Sequence, residues 1–124
     1  MLTPEQIAAP GTEHSQQVAL FAWIALQTDY PELKLAFAIP NGGLRDKVTA
    51  ARLKSEGAKA GVWDIFLPVP RGRWHGLFVE MKVGNNTLTK KQEEFVEELS
   101  DCYEFVVCYS WGEARTALIS YVRL

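Results

Sequence analysis

Asp64, Glu80 and Lys82 are the residues of this 124-residue chain whose types and spacing could together do chemistry. Asp64 opens an apolar run, Ile65-Phe66-Leu67 with Val69, punctuated by Pro68 and Pro70. Glu80 and Lys82 lie in the alternating run Leu77-Phe78-Val79-Glu80-Met81-Lys82. Each run reads as a strand. Side chains two apart on a strand share a face, so Glu80 and Lys82 stand side by side. If the strands pair, Asp64 comes near Glu80, and two carboxylates and an ammonium converge at the edge of an apolar sheet. Carboxylates so placed cost free energy unless something compensates them. A hard divalent cation such as Mg²⁺ suits carboxylate oxygens and would do so. The other reading of Glu80 is an edge-strand salt bridge to a basic neighbour.

These residues need elements to hold them. Pro70-Arg71-Gly72-Arg73 is a polar hairpin connection between the two runs. Gly84-Asn85-Asn86 closes the second strand. Residues 1–12, with Pro4, Pro10 and Gly11, read as a loose arm, and 13–124 as one domain. A helix begins at Thr12, an N-cap residue. Its expected buried face is Val18, Phe21, Ala22 and Ala25, and it ends at Tyr30-Pro31. Glu13 lies in its first turn and shares a face with Gln16, Gln17 and Leu20.

Residues 33–39 read as a strand, followed by the turn Pro40-Asn41-Gly42-Gly43. A second helix spans about Asp46 to Glu56, with Gly57 as its stop. Thr89 and Gln92 have capping-box spacing for a third helix, whose inward stripe is Gln92, Phe95, Val96 and Leu99. Residues 103–109 form a further strand. Ser110 and Glu113 repeat the capping-box spacing before a last helix over 111–118. The order predicts an α/β sandwich with a mixed sheet, antiparallel at the central hairpin and parallel across the crossover helix.

Hydrophobic residues make up 48% and charged residues 23%, the composition of one soluble globular domain with a full core. No apolar run approaches the roughly 20 residues of a membrane span, and the first residues do not read as a signal peptide. Two cysteines make no disulfide framework, so the expected compartment is the cytoplasm. The net charge of −2 does not announce a nucleic-acid partner. The distribution is bipolar: Arg45, Lys47, Arg52, Lys54, Lys59, Arg71 and Arg73 come early, while Glu93, Glu94, Glu97, Glu98, Asp101 and Glu104 cluster late. Such a surface can hold a phosphate backbone on one side, or be two solvated helix faces.

Gly61-x-x-Asp64, Glu80-x-Lys82 and a helix opening with Gln92 together resemble the PD-(D/E)XK nuclease superfamily. The upstream Ile39-Pro40-Asn41-Gly42-Gly43-x-Arg45 and the Lys59-x-Gly61 loop resemble its VRR-Nuc family more specifically. One departure is Trp63, where proline is common. The resemblance covers about residues 13–120. It implies a restriction-endonuclease-like three-layer sandwich, a central mixed β-sheet flanked by helices. It also implies metal-assisted hydrolysis of phosphodiesters, with Mg²⁺ or Mn²⁺ held by Asp64, Glu80, the Met81 carbonyl and Glu13. Lys82 would position or activate the attacking water. Gln92 would hydrogen-bond near the metal or the lysine, or be only a cap. Glu13 has a simpler reading too, a favourable charge at a helix N-terminus.

Asn41, Arg45, Lys47, Lys59, Arg71 and Arg73 are the expected DNA contacts, made to phosphates without reading sequence. Trp74 on the hairpin is a candidate for stacking on a base, with packing as the simpler reading, and Trp63 and Trp111 are assigned to packing. By the same resemblance the substrate is branched DNA, such as a Holliday junction or flap, and the protein a homodimer. A restriction-type endonuclease and a non-catalytic DNA-binding module are the rival readings.

Overall fold

The structure, a computed structural model, describes residues 1–40 and 46–124. Four strands form one sheet in the order β1 (Phe37–Ala38), β2 (Ile65–Leu67), β3 (Leu77–Met81) and β4 (Glu104–Cys108). β1 and β2 pair antiparallel, as do β2 and β3, whereas β3 and β4 are parallel. The two-residue turn at Gly72 and Arg73 closes the hairpin, with Arg71 and Trp74 exchanging both backbone hydrogen bonds. Gly72 takes a φ of 55°, a conformation only glycine adopts cheaply.

Alternation along β3 decides the layers. Leu77, Val79 and Met81 face one side, where they join Leu20 and Ile24 of α2 (Glu13–Leu26) and Ala114, Leu118 and Tyr121 of α5 (Trp111–Val122) in one apolar core. Phe78 faces the other side. There Phe37, Phe66, Phe78 and Phe105 stand in register across all four strands. Adjacent rings lie 5.9, 4.5 and 5.1 Å apart. Phe95 of α4 (Lys90–Leu99) meets Phe78 edge-on at 5.2 Å. Helices therefore cover both faces, giving the α/β sandwich with a mixed sheet that the element order predicts. β3 is an interior strand, so Glu80 is not an edge residue.

Several local expectations change. Residues 1–12 are not a loose arm: α1 (Pro4–Ala8) is closed by a capping box between Thr3 and Gln6. It is tied to α2 by the Gln16 side chain, which donates to the Ala8 carbonyl at 3.1 Å. α2 starts at the Thr12 cap and stops at Leu26, before Tyr30-Pro31. Its buried residues are Ser15, Ala19, Leu20 and Ile24. Val18, from the expected inward face, is 41% exposed. This helix is apolar nearly all round, so periodicity alone does not choose the face.

A 3-10 turn over Pro31–Leu35 replaces most of the expected first strand, because Pro31 favours a helical first turn. α3 (Lys47–Ser55) is capped by the Asp46 side chain, which also holds that carboxyl below its usual value, and it buries no residue fully. α5 runs on to Val122, past the expected end. Its Ser110 cap is present, but Glu113 accepts from the Tyr109 N–H instead of completing a box.

Candidate active site

The β2–β3 register brings the chemistry together. Ile65 faces Val79, so Asp64 just before β2 stands across from Glu80 near the end of β3. The Asp64 N–H donates to Glu80 Oε1 at 3.2 Å, and the Met81 N–H donates to Asp64 Oδ2 at 2.9 Å. Lys82 Nζ lies 3.3 Å from Glu80 Oε2. The ladder continues through Lys82, whose N–H donates to the Cys108 carbonyl. Glu80 is 2% exposed and Lys82 8%, which is rare for charged side chains.

That burial sets the electrostatics. Glu80 is pushed up to about 7, first by burial and then by the negative charge of Asp64, with Lys82 pulling the other way. Burial also raises Asp64, opposed mainly by the Met81 N–H, and the charge of Glu13 adds to the rise. Two acids raised by burial and by neighbouring negative charge are what a cation would relieve.

Gln92 has both of the roles read for it. Its Oε1 accepts from the Thr89 N–H at 2.9 Å, completing the α4 cap, and its Nε2 donates to Glu80 Oε2 at 2.9 Å. Trp63, where proline is common, is 1% exposed. Its indole N–H donates to the Gln92 carbonyl at 3.1 Å, so it anchors α4 to the segment that carries Asp64. Gly61 brings the chain against α4 as well. Its φ is 92°, and a Cβ there would sit 2.6 Å from the Lys91 carbonyl oxygen.

Glu13 is at the rim, in the first turn of α2, close enough to act on Asp64 through its charge. Sequence reasoning missed its partner: Asn86 Nδ2 donates to Glu13 Oε2 at 3.3 Å. The Tyr109 hydroxyl in turn donates to the Asn86 carbonyl at 2.9 Å. The Gly84-Asn85-Asn86 turn signal was visible, but nothing local relates it to residue 13.

The expected phosphate contacts divide. Asn41 and Arg45 lie outside the described residues. Lys47 opens α3 and Lys59 stands in the loop before Gly61, both exposed. Arg71 and Arg73 are at the hairpin, the opposite end of β3 from Lys82, roughly 15 Å away at the rise of a strand. Arg71 is a structural clamp instead. It donates to the carbonyls of Val122 and Pro70 and pairs with Glu32 at 2.7 Å. Arg73 lies 4.7 Å over the Trp74 ring, so Trp74 packs against its own hairpin. Both arginines thus stand at the far end of β3 from the acids, each with partners of its own.

A carboxylate stands at the start of one strand, a Glu-x-Lys at the end of its antiparallel neighbour, and a glutamine of the following helix reaches the glutamate. The VRR-NUC domain profile matches residues 6–111, and the chain belongs to that nuclease family. A solved structure described as a VRR_NUC domain protein is 28% identical and superposes with a TM-score of 0.74. The match covers 90% of this chain and 88% of that one. Comparison with curated proteins gives no match.

The family implies a divalent metal, and the donor chemistry fits one: two converging carboxylates, hard oxygen ligands, with a third acid at the rim. Among the described residues no group of three or more His, Cys, Asp or Glu side chains is placed to hold a metal ion, so the two carboxylates alone supply the converging donors. No described helix is long and apolar enough to cross a membrane.

Proposed function

We propose that the chain is a Mg²⁺- or Mn²⁺-dependent endonuclease that hydrolyses phosphodiester bonds in structured or branched DNA. The observation that carries this is the convergence of Asp64 with the buried Glu80 and Lys82 at one strand end, with Glu80 raised to about 7. Asp64, Glu80, the Met81 carbonyl and, directly or through water, Glu13 would hold the cation. When bound, the cation supplies Lewis acidity toward the phosphate and a lowered pKa for the attacking water.

The remaining work falls to the chain's own groups. Lys82 Nζ, held beside Glu80 Oε2, presents a fixed positive charge to the scissile phosphate and a donor to the incoming water. Gln92 Nε2 and the Asp64 N–H fix the two Glu80 oxygens, so the carboxylate is preorganised. Asn86 holds Glu13 toward the same space. Residues 13–124 would act as one nuclease domain, with α1 packed on it. A homodimer would place two such sites on the two strands of a Holliday junction or flap.

Cleavage of labelled four-way junction, flap and linear duplex, with Mg²⁺, Mn²⁺ or EDTA, tests the reading. Wild type should cut in either metal and not in EDTA, with preference for the branched substrates. Lys82→Ala should lose at least ~100-fold in rate. Equal cutting by Lys82→Ala, or cutting in EDTA, would refute the mechanism. Light scattering that finds only monomer at micromolar concentration would refute the two-site arrangement.

A further inference from the structure

We infer that the basic cleft between α3, the loop at residues 58–61 and the first turn of α4 holds phosphates flanking the scissile one, so that the DNA strand leaves the active site across α4 toward α3. This rests on the nuclease reading of Asp64, Glu80 and Lys82 and adds the path of the substrate. The cleft is about 520 Å³ and is walled by Ala50, Leu53, Lys54, Lys59, Ala60 and Lys91. A second cleft of about 460 Å³ shares Ala60 and Lys91 with it and reaches Lys90 and Gln92. The two are therefore adjacent, and the second is lined by Gln92, whose side chain hydrogen-bonds Glu80.

The charge of this cleft is uncompensated. Among the described residues, Lys54, Lys59, Lys90 and Lys91 make no ion pair, whereas Arg71 at the other end of the sheet is neutralised by Glu32. The lysines come from three separate segments, and the fold fixes two of them together. Gly61 packs directly beneath the Lys91 carbonyl, so Lys59, two residues earlier, is held beside the start of α4. On α3, Lys47 and Lys54 are seven apart and share a face, about 10 Å from each other along the axis. Lys54 lines the cleft, and Lys47 continues the basic face along α3.

Beyond its first turn α4 turns acidic, with Glu93, Glu94, Glu97 and Glu98. A phosphate backbone is repelled there and guided toward α3. The helix N-terminus adds a small favourable dipole at Lys90 and Lys91. Such contacts position a duplex without reading its sequence.

Fluorescence anisotropy of labelled duplex and four-way-junction DNA, titrated in EDTA across a salt series, tests the path. Each lost phosphate contact lowers the slope of log K against log salt by about 0.9 on duplex. Replacing Lys54, Lys59 and Lys91 by Gln should lower it by about 2 to 3 and weaken binding at least ~10-fold at low salt. A charge-matched control, Lys34→Gln with Arg73→Gln and Arg123→Gln, should move the slope by less than about 1. All six residues are exposed, and circular dichroism would confirm folding. Equal slopes for the two variants, an unchanged slope for the cleft variant, or no DNA binding by wild type would overturn the inference. Wild type that binds through the cleft but cuts nothing with Mg²⁺ would refute the nuclease reading and leave the cleft standing.

Discussion

Raising the pH of the metal-free protein from 5 to 8 should lower its stability by about 3 kcal/mol, through Glu80. This carboxyl titrates at about 7 in the folded protein against 4.5 in the unfolded chain, and each pH unit of difference is worth about 1.4 kcal/mol. The sign follows from proton counts. Between the two values the native state keeps a proton that the unfolded state has released, so rising pH favours unfolding. The loss begins near the unfolded value and is complete above the folded one. Asp64 is raised too, so it adds in the same direction. Cys108, pushed up to about 11 by burial, acts outside this window.

Urea melts in EDTA at pH 5, 6, 7 and 8 would read the effect. With a slope of about 2 kcal/mol per molar, the midpoint should fall by about 1.5 M. Thermal midpoints should fall by roughly 10 °C. In Glu80→Gln the decline should nearly vanish, whatever that variant's absolute stability. Saturating Mg²⁺ should stabilise wild type far more at pH 8 than at pH 5, because it binds the ionised pair. A flat profile for metal-free wild type, or the same decline in Glu80→Gln, would refute the account of a buried Glu80 raised by burial and by the charge of Asp64.

Gln92→Ala removes a cap bond and the donor to Glu80; it should cost about 1–2 kcal/mol and also raise the Mg²⁺ concentration needed for half-maximal cleavage, whereas Thr89→Ala should affect stability alone. Gly61→Ala should destabilise by at least about 2 kcal/mol, since its Cβ meets the Lys91 backbone and its φ disfavours a side chain; a melt unchanged from wild type would count against that packing. Arg71→Ala should lower stability by about 1–2 kcal/mol and leave the salt slope of DNA binding unaltered, so a reduced slope would return Arg71 to the DNA contacts.

The chain's local patterns already hold much of this molecule. Strand alternation places Glu80 and Lys82 on one side of β3, because the period of an extended chain is two and no tertiary contact alters it. Thr12, Asp46, Thr89 and Ser110 mark four helix starts, because a cap is satisfied within three residues. The Gly61-x-x-Asp64 and Glu80-x-Lys82 signatures suggest the superfamily, and Ile39-Pro40-Asn41-Gly42-Gly43-x-Arg45 with the Lys59-x-Gly61 loop suggests the family that the domain profile shows.

What the patterns leave open depends on residues far apart in the chain. Val18 and Leu20 are both apolar, and only packing against β3 and α5 decides that Leu20 is buried and Val18 is not. Arg71 reads as a surface cation until residues 32 and 122 arrive beside it. Asn86 meets Glu13 across 73 positions, and the close approach of Gly61 to Lys91 brings Lys59 and Lys91 to one cleft. Charge type and periodicity are local properties, so sequence fixes them. Burial, ion pairing and the direction of a cleft are properties of which segments share a volume, and only the folded chain sets those.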